Sequence, residues 1–320
     1  MKPIFVIHEN EEWYPPLAEA LESRGLDYRE LHMGSGMVDL SATPADGVYY
    51  NRMSASSWTR EHAAAPQLTV ALLENLELHG RRVVNSSRAL DLEISKARQC
   101  AAMARAGLRF PRSLLAVGRD DIAAAARTIA GPIILKPDCG GKGIGVQLFS
   151  SADVLDAHLK SVDDAVAPDT PMLVQAYIEP AEPVIIRNEF VGGEYLYSVR
   201  VDTSEGFELC PADACEIDDS ACPAEAAANK FQILTDFGHP NLAPYKRLLR
   251  DQGIEIAGIE MITDSNGDVW TYDININTNY NGQAEEECGI AGTEKAGMMA
   301  VSGFLGHLSG QLLPSQEAAE

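Results

Sequence analysis

The sequence has little basic charge and few cysteines. Its 320 residues include 25 Lys and Arg against 47 Asp and Glu, which gives a formal net charge of −22. A surface this acidic repels nucleic acid and anionic membranes, so we expect neither as a partner. The six cysteines are scattered along the chain and are too few for a disulfide scaffold. We expect them to be reduced thiols.

An export signal and long hydrophobic runs are also missing. Met1, Lys2 and Pro3 lead into an apolar run of only four residues, Ile4 to Ile7. No stretch approaches the roughly 20 apolar residues that a membrane-spanning helix needs. These absences, together with the expected reduced thiols, predict a soluble cytoplasmic protein.

The composition is that of an ordinary globular protein, with 46% hydrophobic and 22% charged residues. A chain of this length predicts two or three packed units, and we find no internal repeat. Strand and helix signals alternate over the first ninety residues, with strands at Ile4–Ile7, Gly47–Tyr50 and Arg82–Val84 and helices near Leu17–Leu21 and Leu68–Leu78. This rhythm predicts a small parallel sheet with flanking helices.

Beyond residue 90 the pattern changes. Apolar strands separated by turns dominate from Ile133 to Val201 and again from Ile256 to Asn275. Helices are expected from Leu92 to Ala106, from about Asp120 to Ile129, from Pro244 to Asp251 and from about Gly292 to Leu308. The tail after Pro314 is polar.

A glycine-rich segment lies between two strand signals. Four glycines fall within residues 140–145, so backbone amides can approach an anion without interference from Cβ atoms. The P-loop pattern is absent, and a strand signal follows where a dinucleotide-binding fingerprint needs a helix. The glycines alone fit either a flexible hairpin or a flap over nucleotide phosphates. Lys136 favours the flap, because a lysine that ends an apolar run is rarely buried without a partner, and phosphate is a suitable one.

An acidic hairpin is the second strong signal. Asn266-Gly267 between alternating strands predicts a two-residue turn. Counting back from that turn places Glu260 directly opposite Asp273, and the two-residue period of a strand places Asn275 on the same face. Like charges opposite each other are destabilising unless a cation lies between them. The set of hard oxygen ligands therefore predicts a Mg²⁺ site, although a solvated hairpin with incidental acids is the alternative.

Together these features resemble the ATP-grasp superfamily, and most closely its RimK-type amino-acid (alpha-L-glutamate) ligases. The resemblance covers roughly residues 84 to 305 in consistent order. Its segments are Val84-Asn85-Ser86, Ser95-Lys96, Ala106 to Pro111, Ile134 to Pro137 with the glycine flap, Leu173 to Ile178, Arg187, Arg200, Glu260 and Asp273-x-Asn275. It implies an α/β (α+β) fold with two nucleotide-binding lobes after a small Rossmann-like domain. The expected boundaries are 1–85, 86–170, 171–310 and a polar tail at 311–320.

The resemblance also implies roles for individual residues. Lys96 and Lys136 would contact the phosphates. Arg200, Arg187 and Lys136 would be catalytic and stabilise the charge of the phosphoryl group. The flap over the phosphates comprises Gly140, Gly141, Lys142, Gly143 and Gly145. The adenine hinge comprises Gln175, Ala176, Tyr177 and Ile178, with Glu179 or Glu182 as a ribose contact. Glu260, Asp273 and Asn275 would hold one or two Mg²⁺ ions, with Mn²⁺ as an alternative.

The implied reaction joins a small-molecule or peptide carboxylate to an amine through an acyl-phosphate, releasing ADP and phosphate. An ATP-grasp kinase that stops at phosphoryl transfer and a nucleotide-binding regulator without catalysis are the alternatives. The full set of lysines, acids and arginine argues against the regulator. The sequence leaves the substrates open, as well as the oligomeric state, for which a homo-oligomer is one possibility.

Several positions depart from the family's pattern. Ala176 replaces the usual hinge acid, Ile185-Ile186 replaces the acid expected before the first arginine, and Asp273 stands where glutamate is common. Alternating asparagines at 277, 279 and 281 could face the substrate or form a turn. Arg52 could bind a substrate carboxylate or form a surface salt bridge. Cys210, Cys215 and Cys222 are spaced too widely for a typical zinc site, and we interpret them as structural or incidental thiols.

Overall fold

The computed structural model describes residues 1–141, 143–161, 170–204, 230–235 and 237–313. Lys142, Cys210, Cys215, Cys222 and the residues after 313 lie outside this described part, so the expectations for them stay as stated. No helix in the described ranges is long and apolar enough to cross a membrane.

The N-terminal part is a four-stranded parallel sheet, as the alternating strand and helix signals predicted. Its strands β1 to β4 lie in the order β2-β1-β3-β4. Ile4–His8 is β1 and Val48–Asn51 is β3, and both are entirely buried. The remaining elements are β2 (Tyr28–His32), β4 (Arg82–Val84), α1 (Pro15–Ser23) and α2 (Ala65–Leu78).

The helix expected from Leu92 to Ala106 is instead two helices, α3 (Ser87–Glu93) and α4 (Lys96–Arg105). They separate at Ser95, which has an extended backbone and whose Oγ accepts a hydrogen bond from the Arg98 amide at 3.3 Å. Serine is a favoured N-cap because its hydroxyl satisfies an amide with no partner inside the helix. The break places Lys96 at the first position of α4, where the helix dipole disfavours a cation.

A four-stranded antiparallel sheet follows, in the order β5-β8-β6-β7. The strands are β5 (Ser113–Ala116), β6 (Ile133–Pro137), β7 (Gln147–Phe149) and β8 (Met172–Ala176), packed with α5 (Arg119–Ala126) and α6 (Ala152–Ser161). The sequence pattern did not predict α6. The boundary expected between residues 170 and 171 does not follow this sheet, because β8 pairs with β5 and β6 inside it.

The third sheet has five antiparallel strands in the order β11-β10-β9-β12-β13. They are β9 (Val184–Val191), β10 (Glu194–Asp202), β11 (Phe231–Leu234), β12 (Ile256–Thr263) and β13 (Val269–Asn275). Helix α7 (Leu242–Gln252) lies near its expected position. The last expected helix begins later, as α9 (Gly297–Leu308), and is preceded by the short α8 (Gly282–Glu287), which Asn281 caps.

One hydrophobic core joins the N-terminal sheet to the five-stranded sheet. Leu73 of α2, Leu90 of α3, Met103 of α4, Leu248 of α7 and Ile259 of β12 belong to the same buried cluster. The cluster therefore fixes the position of α4, and with it the position of Lys96, relative to the strands that carry the predicted metal ligands.

Candidate functional site

A cavity of about 310 Å³ lies between the four-stranded and five-stranded sheets. The structure brings thirteen of the predicted site residues to its wall. They are Lys96, Lys136, Gly140, Gly141, Gly143, Gln175, Ala176, Tyr177, Ile178, Arg187, Glu260, Asp273 and Asn275. These residues come from six separate segments of the chain, and the fold brings all six segments to one cavity.

The acidic hairpin places Glu260 opposite Asp273, as the sequence predicted. The loop between the two strands differs from the predicted turn, however. Thr263 pairs with Val269, and the Asp264 amide donates to the Asp268 carbonyl oxygen, so the loop is one residue longer than the expected two-residue turn. A β-bulge after Glu260 then restores the register. The predicted pairing is confirmed because two one-residue displacements cancel.

Asp273 is paired with Lys96. The Lys96 Nζ donates to the Asp273 Oδ1 at 2.8 Å, and both side chains are mostly buried. Burial opposes ionisation of Asp273, but the charges of Lys96 and Lys136 lower its pKa below the ordinary value. Burial likewise opposes the charge on Lys96, and Asp273 raises the Lys96 pKa above its ordinary value. The pair is therefore ionised at neutral pH.

Glu260 shares a buried network with Arg187. The Arg187 Nη1 lies 3.6 Å from the Glu260 Oε1, and the Arg187 Nε donates to the Glu189 Oε1 at 2.7 Å. The Thr278 Oγ1 accepts from Arg187 and donates to the Glu189 Oε2 at 2.8 Å. Burial and the nearby Asp273 raise the pKa of Glu260. Protein cations thus outweigh the effect of burial at Asp273, whereas at Glu260 they do not.

The paired acids fit a divalent cation. Two carboxylates directly opposite each other repel, and the raised pKa of Glu260 reflects first burial and then that repulsion. Asn275 adds an amide on the same cavity wall, and its Nδ2 donates to the Glu260 Oε1 at 3.4 Å. In the described part of the chain no three His, Cys, Asp or Glu side chains form a metal site. The donor set is therefore two carboxylates and an amide, which suits Mg²⁺ that is also held by phosphates.

Unlike Lys96, Lys136 has no acidic partner among the described residues. Its side chain is 6% exposed and lines the cavity, yet no described residue accepts a hydrogen bond from its ammonium or forms an ion pair with it. Burial and the positive charge of Lys96 lower the pKa of Lys136 to about 8. A buried ammonium is costly without a counter-charge. The wall at Lys136 therefore favours an anionic ligand.

The glycine loop (residues 140–145) follows Lys136 and Pro137. Gly143 and Gly145 have positive φ angles of 74° and 78°, which an L side chain rarely adopts. Gly145 does not line the cavity, and Lys142 lies outside the described residues. Asp138 fixes the start of the loop, because its Oδ2 accepts from the Ser95 hydroxyl at 2.8 Å and its Oδ1 from the Ala97 amide at 2.7 Å.

The predicted hinge runs from the end of β8 into the segment after it. The Ala176 amide donates to the Arg112 carbonyl and the Tyr177 amide to the Pro132 carbonyl. The Gln175 Nε2 donates to the Ser113 Oγ at 2.8 Å. Glu179 is exposed and outside the cavity lining. Glu182 is also outside it and lies 3.4 Å from Arg200. Neither proposed ribose acid is therefore brought to the cavity.

The structure does not bring Arg200 into the cavity. Residues directly opposite each other in a sheet share a face, and Arg200 pairs with Ile186 whereas Arg187 pairs with Val199. Because successive side chains alternate along a strand, the two arginines project from opposite faces. Arg200 lies instead near Glu182, with its Nη2 3.4 Å from the Glu182 Oε2. Of the two arginines, Arg187 is thus the one that lines the cavity.

Several residues that line the cavity were not predicted from the sequence, among them Glu93, Trp13, Ser54 and Ser56. Glu93 is buried, accepts from the Ile276 amide at 2.7 Å, and has a pKa that burial raises to about 7. The available signal for it was an acid between two apolar residues, Leu92 and Ile94. Trp13, Ser54 and Ser56 reach the cavity from the N-terminal sheet. Long-range packing alone brings them there, and no local sequence pattern marks them.

The structure fits neither of the two roles expected for Arg52, a substrate contact or a surface salt bridge. Arg52 is 3% exposed and forms no ion pair with any described residue, so it is not a surface salt bridge. It does not line the cavity either. Its guanidinium donates to the Trp13 carbonyl at 3.0 Å and to the Asn279 Oδ1 at 2.8 Å. Asn277 and Asn279 line the cavity, whereas Asn281 caps α8.

Comparison with known proteins matches residues 94–208 to the RimK-like ATP-grasp domain family. The chain is 29% identical over 137 residues to a probable alpha-L-glutamate ligase of Teredinibacter turnerae, covering 42% of this chain and 44% of that protein. A probable alpha-L-glutamate ligase of Rhodopirellula baltica is 24% identical over 263 residues, covering 78% and 59%. The chain thus spans about half the length of these relatives.

Solved structures resemble the whole chain. The RimK domain ATP-grasp protein of Sphaerobacter thermophilus aligns with a TM-score of 0.65 at 16% identity, covering 95% of this chain and 99% of that one. The ATP-grasp ligase PsnB, solved with a precursor variant, Mg and ADP, aligns with a TM-score of 0.64 at 18% identity, covering 96% and 98%. The protein therefore has the ATP-grasp fold, and its residues 94–208 match the RimK-like ATP-grasp domain family.

Proposed function

We propose that the protein is an ATP-dependent carboxylate–amine ligase that uses Mg²⁺. The observation that carries the proposal is the pair of opposed walls of the cavity. One wall presents Lys136 without a counter-charge, and the other presents Glu260 and Asp273 facing each other. Triphosphate and metal together satisfy both walls, since the lysine takes an anion and the acids take a cation.

The chain's residues have distinct roles in this proposal. Lys136 and Lys96 bind phosphate oxygens, and the amides of the glycine loop cover the phosphates. Glu260, Asp273 and Asn275 hold one or two Mg²⁺ ions, which when bound neutralise phosphate charge. Backbone groups around Gln175 to Ile178 receive the adenine. In-line phosphoryl transfer asks mainly for this positioning and charge neutralisation.

The reaction then has two steps. A carboxylate oxygen of the first substrate attacks the γ-phosphorus, and the bond from phosphorus to the ADP oxygen breaks. The amine nitrogen next attacks the acyl carbon, phosphate leaves with the former carboxylate oxygen, and the nitrogen loses a proton. Arg187, held rigidly by Glu189 and Thr278, stabilises the negative charge on the transferring phosphoryl group. A closed glycine loop keeps water from the acyl-phosphate.

Amino acids or peptides are the substrates that fit best. The relatives are named alpha-L-glutamate ligases, and PsnB was solved with a minimal precursor and with a precursor peptide. We infer that at least one substrate here is likewise an amino acid or a peptide, and that it supplies either the carboxylate or the amine.

A product screen tests the proposal. The protein is incubated with Mg-ATP and pooled carboxylates and amines, phosphate release is recorded, and products are identified by mass spectrometry. We expect ADP, phosphate and a condensation product only when both partners are present. A stable phosphorylated product that forms without amine would support a kinase instead. Nucleotide binding without turnover across the panel would support a regulator.

A further inference from the structure

One end of the cavity carries polar side chains that the roles above leave unused. Ser54 and Ser56 come from the segment after β3, and Asn279 comes from the segment after β13. They are 5%, 1% and 7% exposed, and all three line the cavity. Buried polar groups normally have their hydrogen bonds satisfied. Their remaining hydrogen-bonding capacity therefore indicates what the cavity binds at this end.

Asn279 is fixed as a hydrogen-bond donor toward the ligand. The Arg52 Nη2 donates to the Asn279 Oδ1 at 2.8 Å. Because a guanidinium only donates, the carbonyl end of the amide must face Arg52, and the Nδ2 end is directed elsewhere. No described residue accepts from that Nδ2. The buried charge of Arg52, which has no acid partner in the described chain, thus polarises the Asn279 amide.

The two serines form a second donor. Their Oγ atoms are 2.8 Å apart, and the Ser56 amide donates to the Ser54 Oγ at 3.1 Å. Two hydroxyls carry two protons and the bond between them uses one, so one O–H remains for a ligand. Arg60 donates to the Ser56 Oγ at 3.4 Å from both terminal nitrogens. Each donor therefore contacts an arginine outside the cavity lining, but the charge of Arg60 is already paired with Glu9, whereas Arg52 has no acid partner among the described residues.

The geometry also ties this end to the proposed phosphate site. A Cβ placed on Gly141 of the glycine loop would lie 3.4 Å from the Ser56 Cβ, so the loop and the serine pair are in contact. Trp13 connects the two arginines, because its carbonyl accepts from Arg52 at 3.0 Å and its ring lies 5.5 Å from the Arg60 guanidinium carbon. These contacts therefore link the two donors to each other and place Ser56 next to the glycine loop.

We propose that Ser54, Ser56 and Asn279 bind the reacting carboxylate of the substrate and hold it for attack on the γ-phosphate. This inference rests on the proposed ligase activity. Hydrogen bonds between a polarised donor and a charged acceptor are stronger than neutral ones. Neutral donors orient the carboxylate without forming an ion pair with it, so its oxygen keeps the electron density needed for attack. Arg52 and Arg60 act as positioning residues.

The substitution Asn279→Asp tests this inference, because it should weaken the binding of an anionic group and strengthen the binding of a cationic one. Aspartate still accepts from Arg52 but replaces the free donor with an anion. Turnover is measured with Mg-ATP, hydroxylamine as the nucleophile, and the carboxylate that gives the most hydroxamate with the unchanged protein. We expect the KM for that carboxylate to rise at least about tenfold, with the KM for ATP unchanged. A lower KM for an amine substrate with an unchanged carboxylate KM would show that this end binds a cation, and would overturn the inference.

The double variant Ser54→Ala, Ser56→Ala tests the second donor independently. We expect a rise of about tenfold in the carboxylate KM with little change in the affinity for Mg-ATP. Ser57→Ala is the matched control, because Ser57 is equally buried but does not line the cavity. If the unchanged protein makes no hydroxamate with any carboxylate, the ligase proposal itself fails. If it does, and neither variant changes the carboxylate KM, the inference alone is overturned.

Discussion

The two walls of the cavity differ in how their charges are satisfied. On the five-stranded sheet, Asp273 is paired with Lys96 and Glu260 lies near Arg187, so each acid has a protein cation beside it. On the four-stranded sheet, Lys136 is buried with no partner among the described residues. The first wall can keep its geometry without a ligand, whereas the second is electrostatically complete only with an anion bound. Substitutions should therefore affect the two walls differently.

The largest effect is expected on the five-stranded wall. Asp273→Asn removes one of the two opposed carboxylates and the counter-charge of Lys96. We expect turnover to fall by about three orders of magnitude, because several kcal/mol of charge stabilisation is lost. Steady-state kinetics at saturating Mg-ATP checks this. A loss of less than about tenfold would show that Asp273 is not needed to hold the metal.

Arg187 and Arg200 sharpen the comparison within that sheet. Arg187→Met leaves Glu189 and Glu260 buried without their cation, and we expect about 3–5 kcal/mol of destabilisation together with loss of turnover. Arg200→Met is the matched control on the opposite face, where we expect less than about 0.5 kcal/mol and full activity. Denaturant unfolding and turnover measure both variants. Loss of activity in the Arg200 variant would return that residue to the catalytic role expected from the sequence.

The two lysines should respond in opposite ways. Lys136→Met removes an unpaired buried charge, so we expect the free protein to be at least as stable as before while ATP binds about 10–100-fold more weakly. Lys96→Met leaves Asp273 without its cation and should lower the melting temperature as well as ATP affinity. Thermal unfolding and calorimetric titration separate the two results. Equal destabilisation by both substitutions would contradict the difference between the walls.

A smaller effect is expected from pH. The pKa of Lys136 is lowered to about 8 in the free protein, and only the protonated ammonium binds phosphate. Affinity for Mg-ATP should therefore be complete below pH 8 and fall as pH rises above it, by up to about tenfold per unit. Lys136→Arg keeps the charge and should abolish this dependence. An unchanged pH profile in that variant would show that another group titrates.

Much of this site could be predicted from the sequence, because its signals are local. The glycine loop, Lys136 and the Glu260–Asp273 pairing are each encoded within one strand–turn–strand segment. The hairpin prediction nevertheless depended on a longer loop and a bulge that cancel. The face on which Arg200 lies could not be predicted, because it depends on the register between β9 and β10. Ser54, Ser56 and Asn279 line the same cavity only because distant segments of the chain pack together.

Oxygen transfer tests the central claim most directly. The substrate carboxylate is labelled with ¹⁸O, turned over with Mg-ATP and the amine, and the released phosphate is analysed by mass spectrometry. An acyl-phosphate route predicts one ¹⁸O atom in each phosphate, because the attacking carboxylate oxygen leaves with phosphorus. Release of ADP with unlabelled phosphate, or appearance of the label in AMP, would contradict it.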